Sequence, residues 1–268
     1  MQANPDKLQV LAVGKTTFEK SPSIQIQNSN WSCETVVKLL GIDIDYQLNF
    51  DLHISNLCRK ASQQLNILKR LRPFLSKLNT LTIFYAFILS NFNVCPLAWH
   101  FCKDKNTNKI EKVQEKTLCC VYNDYNSTYL ELVEKAKVPT LQVHRIRTMA
   151  LETFTIINNL SPTCLNSFVK SKTSKYSFRY SNILDLPKVR TSTYGKKSFK
   201  FAAVSLWNSL PDHFRRENSF SQFRSLIQSV NPGMARNVTV LHAFSSTFSF
   251  LLYMIFAWFL LFCVQIFF

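Results

Sequence analysis

The sequence predicts a mainly α-helical protein with a small antiparallel β element near its N-terminus and a single transmembrane helix at its C-terminus. Three features support this fold class. Short alternating runs of apolar residues occur in 1–48, apolar residues recur every three or four positions in 49–169, and residues 248–268 are almost entirely apolar. We therefore divide the chain into a β element at 1–48, a helical domain at 49–169, a basic loop with short helices at 170–230, and an apolar tail at 237–268.

Three runs in the β element read as strands, at residues 8–13, 23–27 and 36–44. The second run alternates with period two, which is typical of a half-buried strand. The residues at 49–51, Asn-Phe-Asp, then offer the polar side chains that cap a helix N-terminus.

The first predicted helix has a clear amphipathic pattern and ends at Pro73. The residues expected on its buried face are Ile54, Leu57, Cys58, Ala61, Leu65 and Leu68. A second helix is predicted at 77–92, with inward positions at Leu78, Leu81, Tyr85, Ile88 and Phe92.

Two further helices are predicted in this domain, at 107–122 and at 141–160. The second of these is expected to be the longest regular helix, and Pro162 ends it. Residues 170–200 have little periodicity and read as an extended basic loop, followed by short helices at 197–210 and 220–227.

The apolar tail contains a candidate transmembrane helix at about 246–268, since roughly 20 apolar residues suffice to span a bilayer. The chain has no Lys, Arg, Asp or Glu after Arg236, and this arginine would flank the helix on the cytoplasmic side. A tail that is not native to the rest of the chain is the alternative interpretation.

The net charge of +16 favours polyanionic partners, either nucleic acid or anionic lipid, although lysine-rich solubility explains it equally well. With only four glycines the chain cannot build a glycine-rich phosphate loop or a dinucleotide-binding turn. The eight cysteines contain no Cys-x-x-Cys pair, which excludes a standard zinc site or a secreted disulfide framework and favours a reducing compartment.

Several sequence blocks occur in an order that resembles the part of non-LTR (LINE-type, jockey-like) reverse transcriptases that follows the catalytic core. They include Lys38-Leu-Leu-Gly-Ile-Asp-Ile-Asp45, Ser90-Asn-Phe-Asn-Val-Cys-Pro-Leu-Ala-Trp99, Ile110-Glu-Lys-Val-Gln-Glu-Lys116 and Leu206-Trp-Asn-Ser-Leu-Pro211. The resemblance covers residues 1 to about 230. It implies that the chain begins after the polymerase active site and carries the thumb and the helices downstream of it.

We expect no catalysis from this chain. A polymerase needs paired metal-binding carboxylates, and no Asp-Asp pair occurs in the sequence. Asp43 and Asp45 alternate onto one strand face and are considered as metal ligands, but a solvent-facing strand end is the preferred interpretation. Cys95, His100 and Cys102 have the wrong spacing for zinc. No catalytic residue, metal, cofactor or small-molecule substrate is expected.

If the thumb comparison holds, the helix at 49–72 would lie along a nucleic-acid duplex and contact its phosphates. In the basic loop, cations alternate with aromatic residues, a pattern suited to single strands. A solvated basic face is the alternative for both segments. The candidate nucleic-acid-binding residues are Arg59, Lys60, Lys69, Arg70, Arg72, Arg179, Lys196 and Lys197.

Two functions from different classes follow from these patterns. The first is sequence-independent binding of DNA or RNA by a catalytically incomplete reverse transcriptase fragment, located in the nucleus or cytoplasm. The second is a single-pass, tail-anchored membrane protein with a cytoplasmic N-terminal body and a structural or interaction role. A degraded element without selected function is a third possibility.

Overall fold

A computed structural model describes residues 9–14, 23–26, 29–172 and 182–229. Within them the protein is mainly helical, with short antiparallel strands near the N-terminus, so the predicted fold class is confirmed at this level. No described helix combines the length and apolar composition needed to cross a bilayer. The predicted transmembrane helix at 246–268 lies outside the described residues.

The strands form two hairpins. Strand β1 (Ser23–Ile26) pairs with β2 (Ser29–Ser32), and β3 (Val36–Leu39) pairs with β4 (Ile42–Asp45). The single strand predicted at 36–44 is therefore wrong, because Leu40 and Gly41, both with positive φ (49° and 88°), close a two-residue turn inside it. Two consecutive left-handed residues give the tight turn that matches strand twist. The strand predicted at 8–13 is reduced to one bridge between Leu11 and Glu34.

Helix α1 (Asp51–Leu71) follows the second hairpin and is the longest described helix, at 21 residues. Its N-cap residue, Phe50, has φ 58° and provides no side-chain cap. The carboxylate of Asp45 instead accepts the N–H groups of Asn49 and Phe50, at 3.1 and 2.6 Å. The predicted buried face is confirmed for Ile54, Cys58, Ala61, Leu65 and Leu68, while Leu57 is half-buried. A 3₁₀ turn, Arg72–Phe74, ends the helix around Pro73.

The second predicted helix is a continuous helical stretch made of α2 (Lys77–Ile83), a π-helical segment (Phe84–Leu89) and α3 (Ser90–Phe92). The prediction that Leu78 points inward is wrong, since it is 73% exposed. Leu81 and Tyr85 are half-buried and pack against the first core, while Thr80 and Phe84 are fully buried. The wider π turn then shifts the buried face, so Ile88 and Phe92 are inward as predicted.

Helix α4 (Asp104–Tyr122) confirms the helix predicted at 107–122, and its buried residues include Ile110, Val113, Thr117, Leu118 and Val121. Helix α5 (Tyr129–Ala136), which the sequence reading missed, begins with a capping box between Thr128 and Glu131. Helix α6 (Leu141–Ile157) is shorter than predicted and is not the longest helix.

The remaining described elements are short. A 3₁₀ turn (Thr163–Phe168) and a π turn (Ser192–Lys196) precede α7 (Phe199–Ser209), α8 (Asp212–Arg215) and α9 (Phe220–Ser229). The helices predicted at 197–210 and 220–227 are thus confirmed, and α8 was not foreseen.

Two large apolar cores, together with two smaller apolar clusters, hold the described chain together. The first core joins β4, α1, the π-helical segment, α4 and α5, with Ile42, Ile54, Phe84, Trp99 and Ile110 at its centre. The second core joins α6, α7 and α9 through residues that include Phe154, Trp207 and Phe223. Helix α6 contributes Leu141 to the first core and Ile146 to the second, so it connects the two.

Candidate nucleic-acid interface

The predicted phosphate-binding residues fall into two separate groups. Arg59, Lys60, Lys69 and Arg70 are exposed on α1, and Arg72 is half-buried in the turn that follows it. Lys196 and Lys197 are exposed at the π turn that packs against α7. Arg179 lies outside the described residues.

The outward face of α1 is determined by its buried face. Successive residues on an α-helix are rotated by about 100°, so Arg59 and Arg70 fall almost opposite the stripe that contains Ile54 and Leu65. These two arginines are separated by three turns, or about 16 Å along the axis. Arg59 also donates to the Asn56 side chain, at 3.3 Å.

Helix α4 lies beside α1 and runs in the same direction. Lys103, just before α4, contacts Asp51 at 2.9 Å, and Lys109 donates to Ser55 at 3.1 Å. The residue numbers of the contacting pairs therefore increase in the same direction along both helices. At the other end, Lys69 and Arg72 oppose the rise in the pKa of Cys120 that burial causes. The two helices are therefore parallel neighbours over most of their length.

Four exposed lysines form a stripe along α4, on the side next to α1. Their spacing of four, three and four residues places them on one helical face, and they are Lys105, Lys109, Lys112 and Lys116. The sequence reading missed them as binding residues, although this spacing was visible in the sequence. Together with the outward cations of α1 they form what we call the α1–α4 cationic surface: Arg59, Lys69, Arg70, Lys105, Lys109, Lys112 and Lys116.

Lys60 lies on the other border of α1. It precedes Gln64 by one turn, and Gln64 accepts a hydrogen bond from Asn91 of α3 at 2.6 Å. Residues one turn apart share a helix face. Lys60 therefore points toward the α3 side, away from the lysine stripe of α4.

Carboxylates are few near the cationic surface, and Glu111 of α4 is bonded to another helix. No Asp or Glu occurs between Asp51 and Asp104 in the sequence. On α4, Glu111 accepts the hydroxyl of Tyr129 and the backbone N–H groups of Leu141 and Gln142, at 3.1 and 2.6 Å for the latter two. Those N–H groups begin α6, so the helix dipole also stabilises the Glu111 charge. The negative charge of Glu111 therefore interacts with the α6 N-terminus.

Asp51 is the carboxylate closest to the surface. It lies in the first turn of α1 and accepts from Lys103 and from Asn106, at 2.9 and 2.5 Å. The hydrogen bond from Lys103 is the main reason that the pKa of Asp51 lies below its ordinary value. This carboxylate neutralises Lys103, which we therefore leave out of the cationic surface.

Asp43 and Asp45 have structural partners. Both are half-buried, which corrects the prediction of a solvent-facing strand end. Asp45 accepts three backbone N–H groups, those of Gln47, Asn49 and Phe50. Asp43 accepts from the Asn56 side chain at 3.0 Å and lies 3.8 Å from Nδ1 of His53. Both carboxylates thus fasten the β3–β4 hairpin to the beginning of α1.

In the part of the chain that the structure describes, no three His, Cys, Asp or Glu side chains are grouped so that they could hold a metal ion. Burial raises the pKa of Cys95 and lowers the pKa of His100 to about 4, with the charge of Arg145 adding to the second effect. A neutral imidazole and a protonated thiol are typical of packed side chains.

Comparisons of the chain with protein-family models, with curated proteins and with solved structures give no match.

Proposed function

We propose that the chain binds nucleic acid without sequence preference, through contacts between phosphates and the α1–α4 cationic surface. The observation that carries this proposal is the parallel packing of α1 against α4, which puts two cationic stripes side by side, while Asp51 is paired with Lys103 and Glu111 is bonded to the start of α6. Side chains on neighbouring parallel helices can contact successive phosphates of one backbone. Such contacts orient a nucleic acid but carry no sequence information.

The energetic basis is the release of counterions. Each phosphate that a lysine or arginine neutralises releases condensed cations, and the affinity therefore falls steeply with salt. Cations that already have a carboxylate partner contribute less, because that ion pair must be broken first. The seven side chains of the surface have no ion pair with a described residue.

We further propose that the chain derives from the post-catalytic part of a non-LTR reverse transcriptase and does not polymerise DNA. The support is the ordered set of sequence blocks, together with the missing Asp-Asp pair. In this proposal α1 to α5 correspond to a thumb-like bundle. The structural roles of Asp43 and Asp45 are consistent with it, since neither carboxylate is left available for a metal ion.

A matched pair of triple variants tests the binding proposal. K109Q/K112Q/K116Q removes three charges from the α4 stripe, whereas K38Q/K137Q/R216Q removes three exposed charges outside both the cationic surface and the basic loop. Fluorescence anisotropy with a duplex at several salt concentrations gives both affinity and its salt dependence. We expect the first variant to lose about 100-fold in affinity at physiological salt, and its salt slope to fall by about 0.9 per lost contact.

The control variant should bind nearly as well as the unsubstituted chain. Equal losses in the two variants would mean that only total charge matters, and this would contradict a localised surface. A chain without affinity for duplex or single strands at low salt would overturn the whole proposal.

A tail-anchored membrane protein is the second candidate, and a specific observation favours it: residues 248–268 are almost entirely apolar. Carbonate extraction of cells that express the chain with and without residues 237–268 tests it. We expect the full chain to remain with the membrane and the shortened chain to be released. The two functions are compatible, because a cytoplasmic body could bind nucleic acid near a membrane.

A further inference from the structure

Phe74 is the most exposed of the large apolar side chains in the described residues, at 86%. It lies in the 3₁₀ turn Arg72–Phe74, directly after the end of α1. Arg70, part of the cationic surface, precedes it by about one helical turn. The ring is therefore placed at the end of the surface to which we assign the phosphates.

The backbone around Phe74 is firmly held. Pro73 fixes its own φ, and the N–H of Leu75 donates to the carbonyl of Arg72 at 3.1 Å. Ser76 then caps α2, since its hydroxyl accepts the N–H of Asn79 at 3.2 Å. An exposed ring on such a short, hydrogen-bonded turn loses little conformational entropy when it binds a partner.

The neighbours of Phe74 in sequence are cations and apolar side chains. Arg70, Arg72 and Lys77 lie within four residues of it, in the segment that contains no carboxylate. Ile67, Leu71 and Leu78 are exposed at 58, 44 and 73%. Exposed apolar groups that lie together mark an interaction site, and the surrounding positive charge favours an anionic partner.

We propose that Phe74 stacks on an unpaired base, at the point where a nucleic acid bound along the α1–α4 cationic surface passes from duplex to single strand. This inference rests on the proposed nucleic-acid binding and adds a substrate class to it: duplexes with a single-stranded extension. A paired base inside a helix has no free face, whereas an unpaired base does. Aromatic rings bordered by cations bind single strands in this way, because the ring contacts the base while the cations contact the phosphates.

The test uses the full chain and two ligands of equal charge. Both are the same hairpin duplex with a single-stranded extension, which carries bases in one ligand and abasic sites in the other. We expect the unsubstituted chain to bind the base-containing extension about tenfold more tightly. F74L, which keeps an apolar side chain but removes the ring, should bind both ligands equally, and F74W should restore the preference.

L130A is the matched control, because Leu130 is also highly exposed, at 68%, but lies on α5. It should keep the full preference for bases. Phe74 is outside both cores, so equal thermal unfolding curves for F74L and the unsubstituted chain will show that the fold is retained.

The possible failures are distinguishable. If the unsubstituted chain binds neither ligand, the proposed function fails together with this inference. If it binds both ligands equally, or if F74L keeps the preference, the stacking proposal alone is overturned. If F74L leaves both affinities unchanged but reduces sedimentation with phosphatidylserine vesicles, the site belongs to a lipid surface and the proposal is again overturned.

Discussion

The basic side chains of α1 and α4 are exposed on the outside of the first core, whereas three arginines of α6 and α8 are buried. Arg145, Arg147 and Arg215 are only 2, 1 and 5% exposed. Arg145 lies over the ring of Trp99, 4.9 Å from its centre, and Arg147 donates to the carbonyl of Gln228 at 3.3 Å. Only Arg215 of the three has a described carboxylate partner, Asp212 at 3.7 Å.

This difference shows that net charge is a poor measure of binding capacity. The buried arginines count toward the value of +16 but cannot reach a phosphate. A buried guanidinium without a carboxylate also costs stability, since its hydration is lost and replaced only in part. The exposed cations of α1 and α4 should therefore govern binding, and the buried arginines of α6 and α8 should govern stability.

The largest effect should come from breaking the second core. Phe154 is fully buried and stacks on Phe223, with ring centres 4.4 Å apart. We expect F154A to lower the free energy of unfolding by about 3–5 kcal/mol, as measured by urea denaturation. F92A, in the first core, should cost a similar amount.

Nucleic-acid affinity then separates the two variants. At low temperature F154A should bind a duplex like the unsubstituted chain, because α1 and α4 are held by the first core. F92A should bind more weakly, since Phe92 supports the packing of α1. Equal losses of binding would mean that the two cores unfold together. The first core alone would then not hold the binding surface.

The next largest effects should appear as changes of stability with pH, and two groups on α6 should act in opposite directions. Burial lowers the pKa of His144 to about 4, with Arg145 and Arg147 adding to the effect, and burial raises the pKa of Glu152 to about 7. His144 contributes stability above pH 6.5 that is lost as pH falls toward 4. Glu152 contributes stability below pH 4.5 that is lost as pH rises toward 7.

Two substitutions isolate these contributions. The unfolding free energy of E152Q, minus that of the unsubstituted chain, should rise by about 3 kcal/mol as pH rises from 4.5 to 7. The unfolding free energy of H144Q, minus that of the unsubstituted chain, should fall by about 3 kcal/mol as pH rises from 4 to 6.5. Urea denaturation at a series of pH values measures both. Parallel pH profiles for all three proteins would show that neither group is buried in solution.

The surface of α1 could be predicted from the sequence, but the interface could not be predicted in full. The period of the apolar residues on α1 identifies Arg59 and Arg70 as outward. It cannot say which helix lies beside them. The contact between Lys109 and Ser55 joins residues 54 positions apart, so the α4 stripe became part of the surface only through tertiary packing.

Buried polar groups were also beyond the sequence reading. The charge of an arginine predicts exposure, yet Arg145 and Arg147 are buried because both sides of α6 are covered, one by the first core and the other by α9. The prediction for Leu78 is wrong in the opposite direction, because this apolar side chain is exposed. Its position fits a regular helical period, but the π-helical segment and the capping of α2 at Ser76 turn a different face inward.

A smaller effect is expected from a matched pair of arginine substitutions. Nε and Nη1 of Arg147 have no hydrogen-bond partner, and burial lowers the pKa of this guanidinium to about 8. R147M should therefore raise the free energy of unfolding by about 1–3 kcal/mol. R70M, on the exposed face of α1, should change it by less than about 0.5 kcal/mol but weaken duplex binding. A destabilised R147M would show that the bond to Gln228 outweighs the buried charge.

The smallest effect concerns the ion pair at the edge of the cationic surface. The Asp51 side chain is 54% exposed, so solvent screens its pairing with Lys103, and D51N should cost only about 0.5 kcal/mol of stability. The same change releases Lys103 to contact a phosphate and should raise duplex affinity about threefold. D51N/K103Q should lose this gain, while D104N, which removes a nearby charge but releases no lysine, should show a smaller one. If D104N gains as much as D51N, the effect is one of net charge, and Lys103 does not extend the surface.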